Sequence, residues 1–194
     1  QQHFEQLKIE VSPEMYASFT GNSTKNIYER LIATFDLKED VLSLVQTKRT
    51  LFNDAFDNKK DLYLLEGVEE LIKVLHQNGM QLILASSAAN VTIERIFNRF
   101  DLHPYFTHKV SGEDFPKSKP HPAIFQQAAF LAQTPVENCI VIEDSTNGII
   151  AAKAAGIYCI GYDSVHSKLQ DYSLADEVIS HFNELSFEKI RDIK

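Results

Sequence analysis

Glu143-Asp144-Ser145-Thr146-Asn147-Gly148-Ile149-Ile150-Ala151-Ala152-Lys153-Ala154-Ala155-Gly156 lies between two apolar runs, Cys139-Ile140-Val141-Ile142 before it and Ile157-Tyr158-Cys159-Ile160 after it. The first run reads as a buried strand that ends in adjacent carboxylates. A helix over Asn147–Ala155 follows, and Gly156 supplies the left-handed residue that closes it. Strand, helix, strand in that order is the repeating unit of a parallel sheet with covering helices.

The same alternation runs on both sides. Leu82–Ala85, His108–Val110 and Glu177–Ile179 read as further strands, and Val68–Asn78, Val91–Phe100 and Pro122–Gln133 as helices, with Gly79 in the same closing position as Gly156. Upstream of Asn58 the pattern is purely helical. Val41, Leu44, Val45, Lys48, Phe52, Ala55 and Phe56 recur three or four apart and form one stripe, and Ser12-Pro13-Glu14 supplies a cap followed by a first-turn proline. The polar Asn58-Lys59-Lys60-Asp61 marks the hinge. The expected fold is therefore α/β: a helical bundle over 1–60 and a parallel-sheet core over 61–194.

Bulk properties narrow the chemistry. With 194 residues, 44% hydrophobic and 24% charged, the chain can bury a core of its own. A formal net charge of −8 and a pI near 5.3 argue against a duplex nucleic-acid binder, which needs a basic face. There is no apolar stretch of the length a membrane helix needs and no signal segment, so a cytoplasmic protein is expected, as a monomer or weak dimer. Cys139 and Cys159, each within an apolar run, are expected to be buried reduced thiols.

Functional groups of open parallel sheets gather beyond the carboxyl ends of the strands, and three such ends stand out. Ser86-Ser87-Ala88-Ala89-Asn90 brings a hydroxyl and backbone N–H groups to a helix start, an anion site, although Ser86 as a plain helix cap is the competing reading. In Lys117-Ser118-Lys119-Pro120-His121-Pro122, a lysine fixed on a proline-stiffened turn suits a phosphate; Lys117 reads as exposed and His121 as structural or solvated. Glu143-Asp144 offers the oxygen ligands that Mg²⁺ takes alongside waters, while helix capping by Asp144 is the bland alternative.

Together, Leu82–Ser86, Ser118-Lys119-Pro120 and Ile142-Glu143-Asp144-Ser145 with Gly148 resemble three of the motifs of the haloacid dehalogenase-like hydrolase superfamily, and the segment opening this section is the most specific of them. Residues up to about Lys60 resemble the helical cap of the β-phosphoglucomutase-like subgroup, and the remainder its Rossmannoid core. The resemblance implies that Ser86 and the Ser87 N–H bind the transferred phosphoryl group, with Asn90 beside them. It implies that Lys119 bridges phosphate and nucleophile, and that Asp144 with Glu143 holds Mg²⁺. Phe19-Thr20-Gly21-Asn22-Ser23-Thr24, with Lys25 nearby, resembles the substrate-specificity loop, although a plain helix-to-helix turn fits the same residues.

One family feature is missing from these residues. The Asp-x-Asp pair of the first strand, which supplies the nucleophile and the general acid and base, has no counterpart, and Asp36, Asp40, Asp54, Asp57 and Asp61 fall on cap helices or the hinge. An Asp-x-Asp strand upstream of Gln1 is the expectation, which leaves two neighbouring strands with open edges in the residues at hand. The expected activity is a Mg²⁺-dependent phosphatase of a small phosphorylated metabolite, a sugar phosphate being one candidate. A β-phosphoglucomutase-like mutase and a catalytically silent ligand-binding relative are the alternatives. The cap loop bears Thr20 and Thr24 where a mutase needs cations for a second phosphate, which favours the phosphatase.

Overall fold

The computed structural model describes residues 2–165, 167 and 169–193. The chain begins with helices α1 (Gln2–Gln6), α2 (Pro13–Ala17), α3 (Thr24–Phe35) and α4 (Val41–Asn58). As the Ser-Pro-Glu signal requires, the Ser12 hydroxyl accepts from the Met15 N–H at 3.2 Å to cap α2. Ser23 and Asp40 cap α3 and α4 in the same way. Phe19, Tyr28, Leu31 and Leu44 form a buried cluster among these helices, flanked by Phe4, Val41 and Val45. The α4 stripe is not buried along its whole length. Phe52 stays 37% exposed and stacks on Phe56 at 5.9 Å between centroids, and the Arg99 guanidinium lies over the Phe56 ring, 4.8 Å from its centre. The lower half of α4 thus rests on the sheet-bearing region rather than on its own bundle.

Beyond Asn58 come α5 (Val68–Gln77), β1 (Leu82–Ser86), α6 (Asn90–Arg99), β2 (Phe106–Ser111), α7 (Ala123–Ala132), β3 (Ile140–Glu143), α8 (Thr146–Ala154), β4 (Tyr158–Tyr162), β5 (Glu177–Ile179) and α9 (Phe187–Arg191). Every strand pairing is parallel. Alternate residues point to opposite faces, as the pleat dictates. Val141 and Cys159 pack with Ile124, Phe125, Ile149 and Ala152 under α7 and α8, whereas Ile140, Ile142 and Ile160 pack with Leu71, Leu75 and Ile190 under α5 and α9. Ile93 and Phe97 of α6 cover Leu84 and Phe106. Cys159 is fully buried, Cys139 half-buried, and neither is in a disulfide. Among the described residues no helix is long and apolar enough to cross a membrane.

The sheet is in two pieces, β1–β2 and β3–β4–β5. Among the described residues β1 pairs only with β2 and β3 only with β4, which leaves an open edge on each, as on β2 and β5. Leu82 nonetheless shares an apolar cluster with Ile140 and Ile142, which keeps the two pieces together on one side.

Candidate active site

The carboxyl ends of β1 and β3 are bridged by one side chain. Lys119, 5% exposed, donates to the Ala85 carbonyl at 3.2 Å and to Glu143 Oε2 at 2.7 Å. Its ammonium also lies 4.6 Å from the centre of the Phe125 ring. The turn that carries it includes a cis Lys119–Pro120 bond. Lys117 is exposed, and His121 Nδ1 accepts from the Ala123 N–H at the start of α7, a structural role.

Glu143 is largely buried, its side chain 10% exposed. Its Oε1 accepts from the Ser145 hydroxyl at 2.7 Å and from the Asp144 and Ser145 N–H groups at 3.2 Å each. Burial alone raises a carboxyl, but the Lys119 charge and these donors overcome it and hold Glu143 below the ordinary range. Its chain folds back over the first turn of α8, where a Cβ on Gly148 would lie 2.0 Å from the Glu143 Cδ. Glycine stands at that position because the carboxylate occupies the space of a side chain.

Asp144 is the opposite case. The Ser167 hydroxyl donates to its Oδ2 at 2.5 Å and the Tyr172 hydroxyl to its carbonyl at 3.3 Å. Burial, aided by the adjacent Glu143 charge, raises its carboxyl above the usual range, and among the described residues no cation is paired with it. Helix capping does not explain it either: Ser145 is the cap of α8, accepting from the Gly148 N–H at 3.0 Å. A carboxylate made costly to ionise by its surroundings fits a divalent cation, and the all-oxygen donor set fits Mg²⁺. Among the described residues no group of three or more His, Cys, Asp or Glu side chains gathers, so Asp144 and Glu143 are the acidic groups on offer here.

At β1, Ser86 does not cap α6. Its hydroxyl accepts from the Ala88 N–H at 3.2 Å, and the residue at the cap of α6 is Ala89, which has no side chain to serve. The Ser86 proton is left to donate. Asn90 departs from the expected anion site: its N–H donates to Glu113 Oε2 at 2.6 Å and its amide to Asp114 Oδ1 at 3.0 Å. The two acids of the turn after β2 thus hold its main-chain and side-chain donors.

The cap loop lands on these same turns. The Ser87 hydroxyl donates to the Gly21 carbonyl at 2.6 Å, and the Ser118 hydroxyl to Asn22 Oδ1 at 3.1 Å. Gly21, at a φ of +82°, comes so close that a Cβ there would lie 2.5 Å from the Ser145 hydroxyl. The Thr20 carbonyl accepts from the Asn147 amide at 2.7 Å. Thr20, Gly21 and Asn22 therefore reach the cluster, whereas Phe19 is buried in the cap and Lys25 pairs with Glu29 on the surface at 3.7 Å. Thr24 opens α3, its hydroxyl 3.5 Å from the Lys48 ammonium. Lys48, which the sequence pattern places within the α4 stripe, is thus the lysine that stands beside the loop. Its side chain reaches solvent, yet crowding by protein and then the neighbouring Arg49 charge lower its pKa.

A serine hydroxyl, a buried lysine and two carboxylates of opposite character thus gather beyond the carboxyl ends of parallel strands, beneath a bundle of helices. Residues 1–162 match the haloacid dehalogenase-like hydrolase family, and the chain belongs to it. Hexitol phosphatase B of Escherichia coli (strain K12) is 30% identical over 184 residues, which cover 93% of this chain and 74% of that protein. The bifunctional riboflavin kinase/FMN phosphatase of Arabidopsis thaliana is 34% identical over 140 residues, 72% of this chain and 36% of that protein. The chain thus spans from about a third to three quarters of the length of these relatives. In structure it is similar to β-phosphoglucomutase from Clostridium difficile, with a TM-score of 0.84, 22% identity and coverage of 98% and 85% of the two chains. It is also similar to CbbY from Rhodobacter sphaeroides, crystallised with xylulose-(1,5)bisphosphate, with a TM-score of 0.82, 23% identity and coverage of 95% and 86%. At those identities the likeness is one of fold.

Proposed function

We propose that these residues form the cap and most of the core of a cytoplasmic Mg²⁺-dependent phosphatase of a small phosphorylated metabolite, a sugar phosphate being the favoured class. The observation that carries this reading is Lys119, held between the end of β1 and the acid that closes β3. A buried ammonium fixed there meets the charge of a phosphoryl group and of an attacking carboxylate together. Ser86 donates its hydroxyl proton to a phosphoryl oxygen, and the Ser87 N–H holds another. Asp144, supported by Glu143, holds the Mg²⁺, which neutralises phosphoryl charge when bound. The nucleophile is an Asp on a strand upstream of Gln1 that pairs with the open edges of β1 and β3. It takes the phosphoryl group as an aspartyl-phosphate as the ester P–O bond breaks and the second Asp of the Asp-x-Asp pair protonates the departing alcohol. The same Asp then takes a proton from the water that hydrolyses the intermediate.

The relatives named as phosphatases support the reaction class. The loop over residues 17–22 meets the core through uncharged groups and Lys25 is engaged by Glu29, which supports hydrolysis; Lys48 beside Thr24 is the cation that the mutase reading would use. The unpaired thiols fit a reducing compartment. The test uses the full-length gene product and a generic aryl phosphate. Phosphate release should require Mg²⁺, and turnover that persists in excess chelator sinks the proposal. Conversion of a sugar 1-phosphate to the 6-phosphate without phosphate release would establish the mutase instead.

A further inference from the structure

At the end of α2 the Ala17 carbonyl accepts from the Thr20 N–H at 3.1 Å and the Ser18 carbonyl from the Asn22 side-chain amide at 3.0 Å, and each keeps a second lone pair for a further donor. Side chains from the sheet-bearing region supply those further donors. Asn147 Nδ2 donates to the Ser18 carbonyl at 3.2 Å and to the Thr20 carbonyl at 2.7 Å, and Gln170 Nε2 donates to the Ala17 carbonyl at 3.1 Å. Two carbonyls on one amide end can be met only by its nitrogen, which fixes the orientation of Asn147. Gln170 turns its other end to the metal-holding turn, its Oε1 accepting from the Thr146 N–H at 2.9 Å.

Each donor stands beside a group with a proposed chemical role. Asn147 follows Asp144 by three residues, and Gln170 follows Ser167, the hydroxyl on Asp144, by three. Ser87, which donates to the Gly21 carbonyl, is next to Ser86. Cap loop and acidic turn are therefore joined by short polar links with no charge in them, so proximity and geometry set their strength rather than ionic strength.

We propose that Asn147 and Gln170 are positioning residues that dock the cap loop over the phosphoryl site, so that closure of the cap is reported to the metal-holding turn through Thr146 and Asn147. The inference deepens the phosphatase reading and depends on it for its kinetic part alone.

The experiment is hydrogen exchange of the full-length protein, read by mass spectrometry at peptides covering residues 16–24, with kinetics on the best substrate of a sugar-phosphate panel. Asn147→Asp keeps the shape and removes both donors. It also places a carboxylate in the first turn of α8, where the helix favours one, so the fold is retained. Exchange across 16–24 should rise about tenfold, the scale of a lost hydrogen bond, with α7 and β4 unchanged. Gln170→Glu, which keeps the acceptor for Thr146 and removes the donor to Ala17, should raise it by a smaller factor. Asn147→Gln, with the donors on a longer stem, should recover part of the protection and of kcat/KM, the loss in Asn147→Asp lying in KM more than in kcat. Native exchange across 16–24 in both carboxylate variants would overturn the proposal. So would a rise spread evenly over the core, which marks a merely structural role. If the native protein releases no phosphate while the exchange changes stay local, the phosphatase reading fails and the docking inference stands.

Discussion

The cap loop and the core turns meet edge to edge but bring different kinds of groups. From the core come side chains of defined chemistry: Ser86, Lys119, Glu143 and Asp144. From the cap, residues 17–21 return main-chain carbonyls to Gln170, Asn147 and Ser87. A charge can be supplied by few residue types, whereas any residue supplies a carbonyl. The core side of the site is thus constrained in identity, and the cap side in conformation.

That contrast breaks first at Lys119. Lys119→Met leaves a buried carboxylate at Glu143 without its partner, and loss of one member of such a pair costs about 3–5 kcal/mol. Denaturant melts should show that loss and phosphate release should fall to background. Adding Glu143→Gln should restore much of the stability and none of the activity. If stability returns without the second change, the pair is not what holds these turns.

Asp144→Asn should also abolish Mg²⁺-dependent turnover, but with the reverse effect on stability. A carboxyl raised by folding penalises the fold once ionised, so in chelator the native protein loses stability as pH rises from the ordinary aspartate range through Asp144's higher value. Glu143, lowered by folding, adds stability above the ordinary glutamate range and loses it as pH falls through its own lowered value. The Asn variant should therefore melt higher than native in chelator at neutral pH and show no upward shift with Mg²⁺. A lower melting temperature would contradict the raised Asp144.

Gly148→Ala tests how tightly the core turn is fitted. Alanine favours a helix over glycine by ~1 kcal/mol, yet the Cβ would overlap Glu143. Net destabilisation of about 1–3 kcal/mol is expected, with activity down roughly 100-fold as the carboxylate is displaced. A stabilised, active variant would show that Glu143 has room to spare.

The smallest effect should come from one of the ionic contacts between cap and core, Arg49 with Glu113 at 3.3 Å, both partly exposed, which stands apart from the pair of Arg95 with Asp57 at 2.6 Å. A double-mutant cycle with Arg49→Ala and Glu113→Ala should give a coupling of at most ~1 kcal/mol. A larger value would mean that charge at this pair adds to the amide donors of Asn147 and Gln170 in holding the cap.

How much of this was legible in sequence follows the same division. The strands and helices of the core were legible because each apolar run is short, ends in turn residues and alternates with a helical period. Glu143 and Asp144 were legible because charge at a buried strand end is conspicuous, and Lys119 because prolines stiffen the turn that carries it. Asn90 misled, because an asparagine at a helix start looks the same whether it faces a ligand or the Glu113 and Asp114 side chains, whose position depends on how the turn after β2 packs. Phe52 and Phe56 read as bundle core, since periodicity identifies a stripe and not what covers it. Ser167, Asn147 and Gln170 gave no signal: their partners are a carboxylate 23 residues away and carbonyls 129 and 153 residues away.

The fully buried thiol of Cys159 gives the protein an internal clock. Burial first, then the nearby Glu143 and Asp176 charges, push it up to about 12, so at neutral pH it presents no thiolate and no accessible surface to an alkylating reagent. Its modification must wait for β4 to leave the sheet, while half-buried Cys139 lies just ahead of β3. Under native conditions the labelling rate of Cys159 then measures how often the core opens, and the lag between the two thiols reveals whether the edge at β3 loosens before the centre of the sheet does.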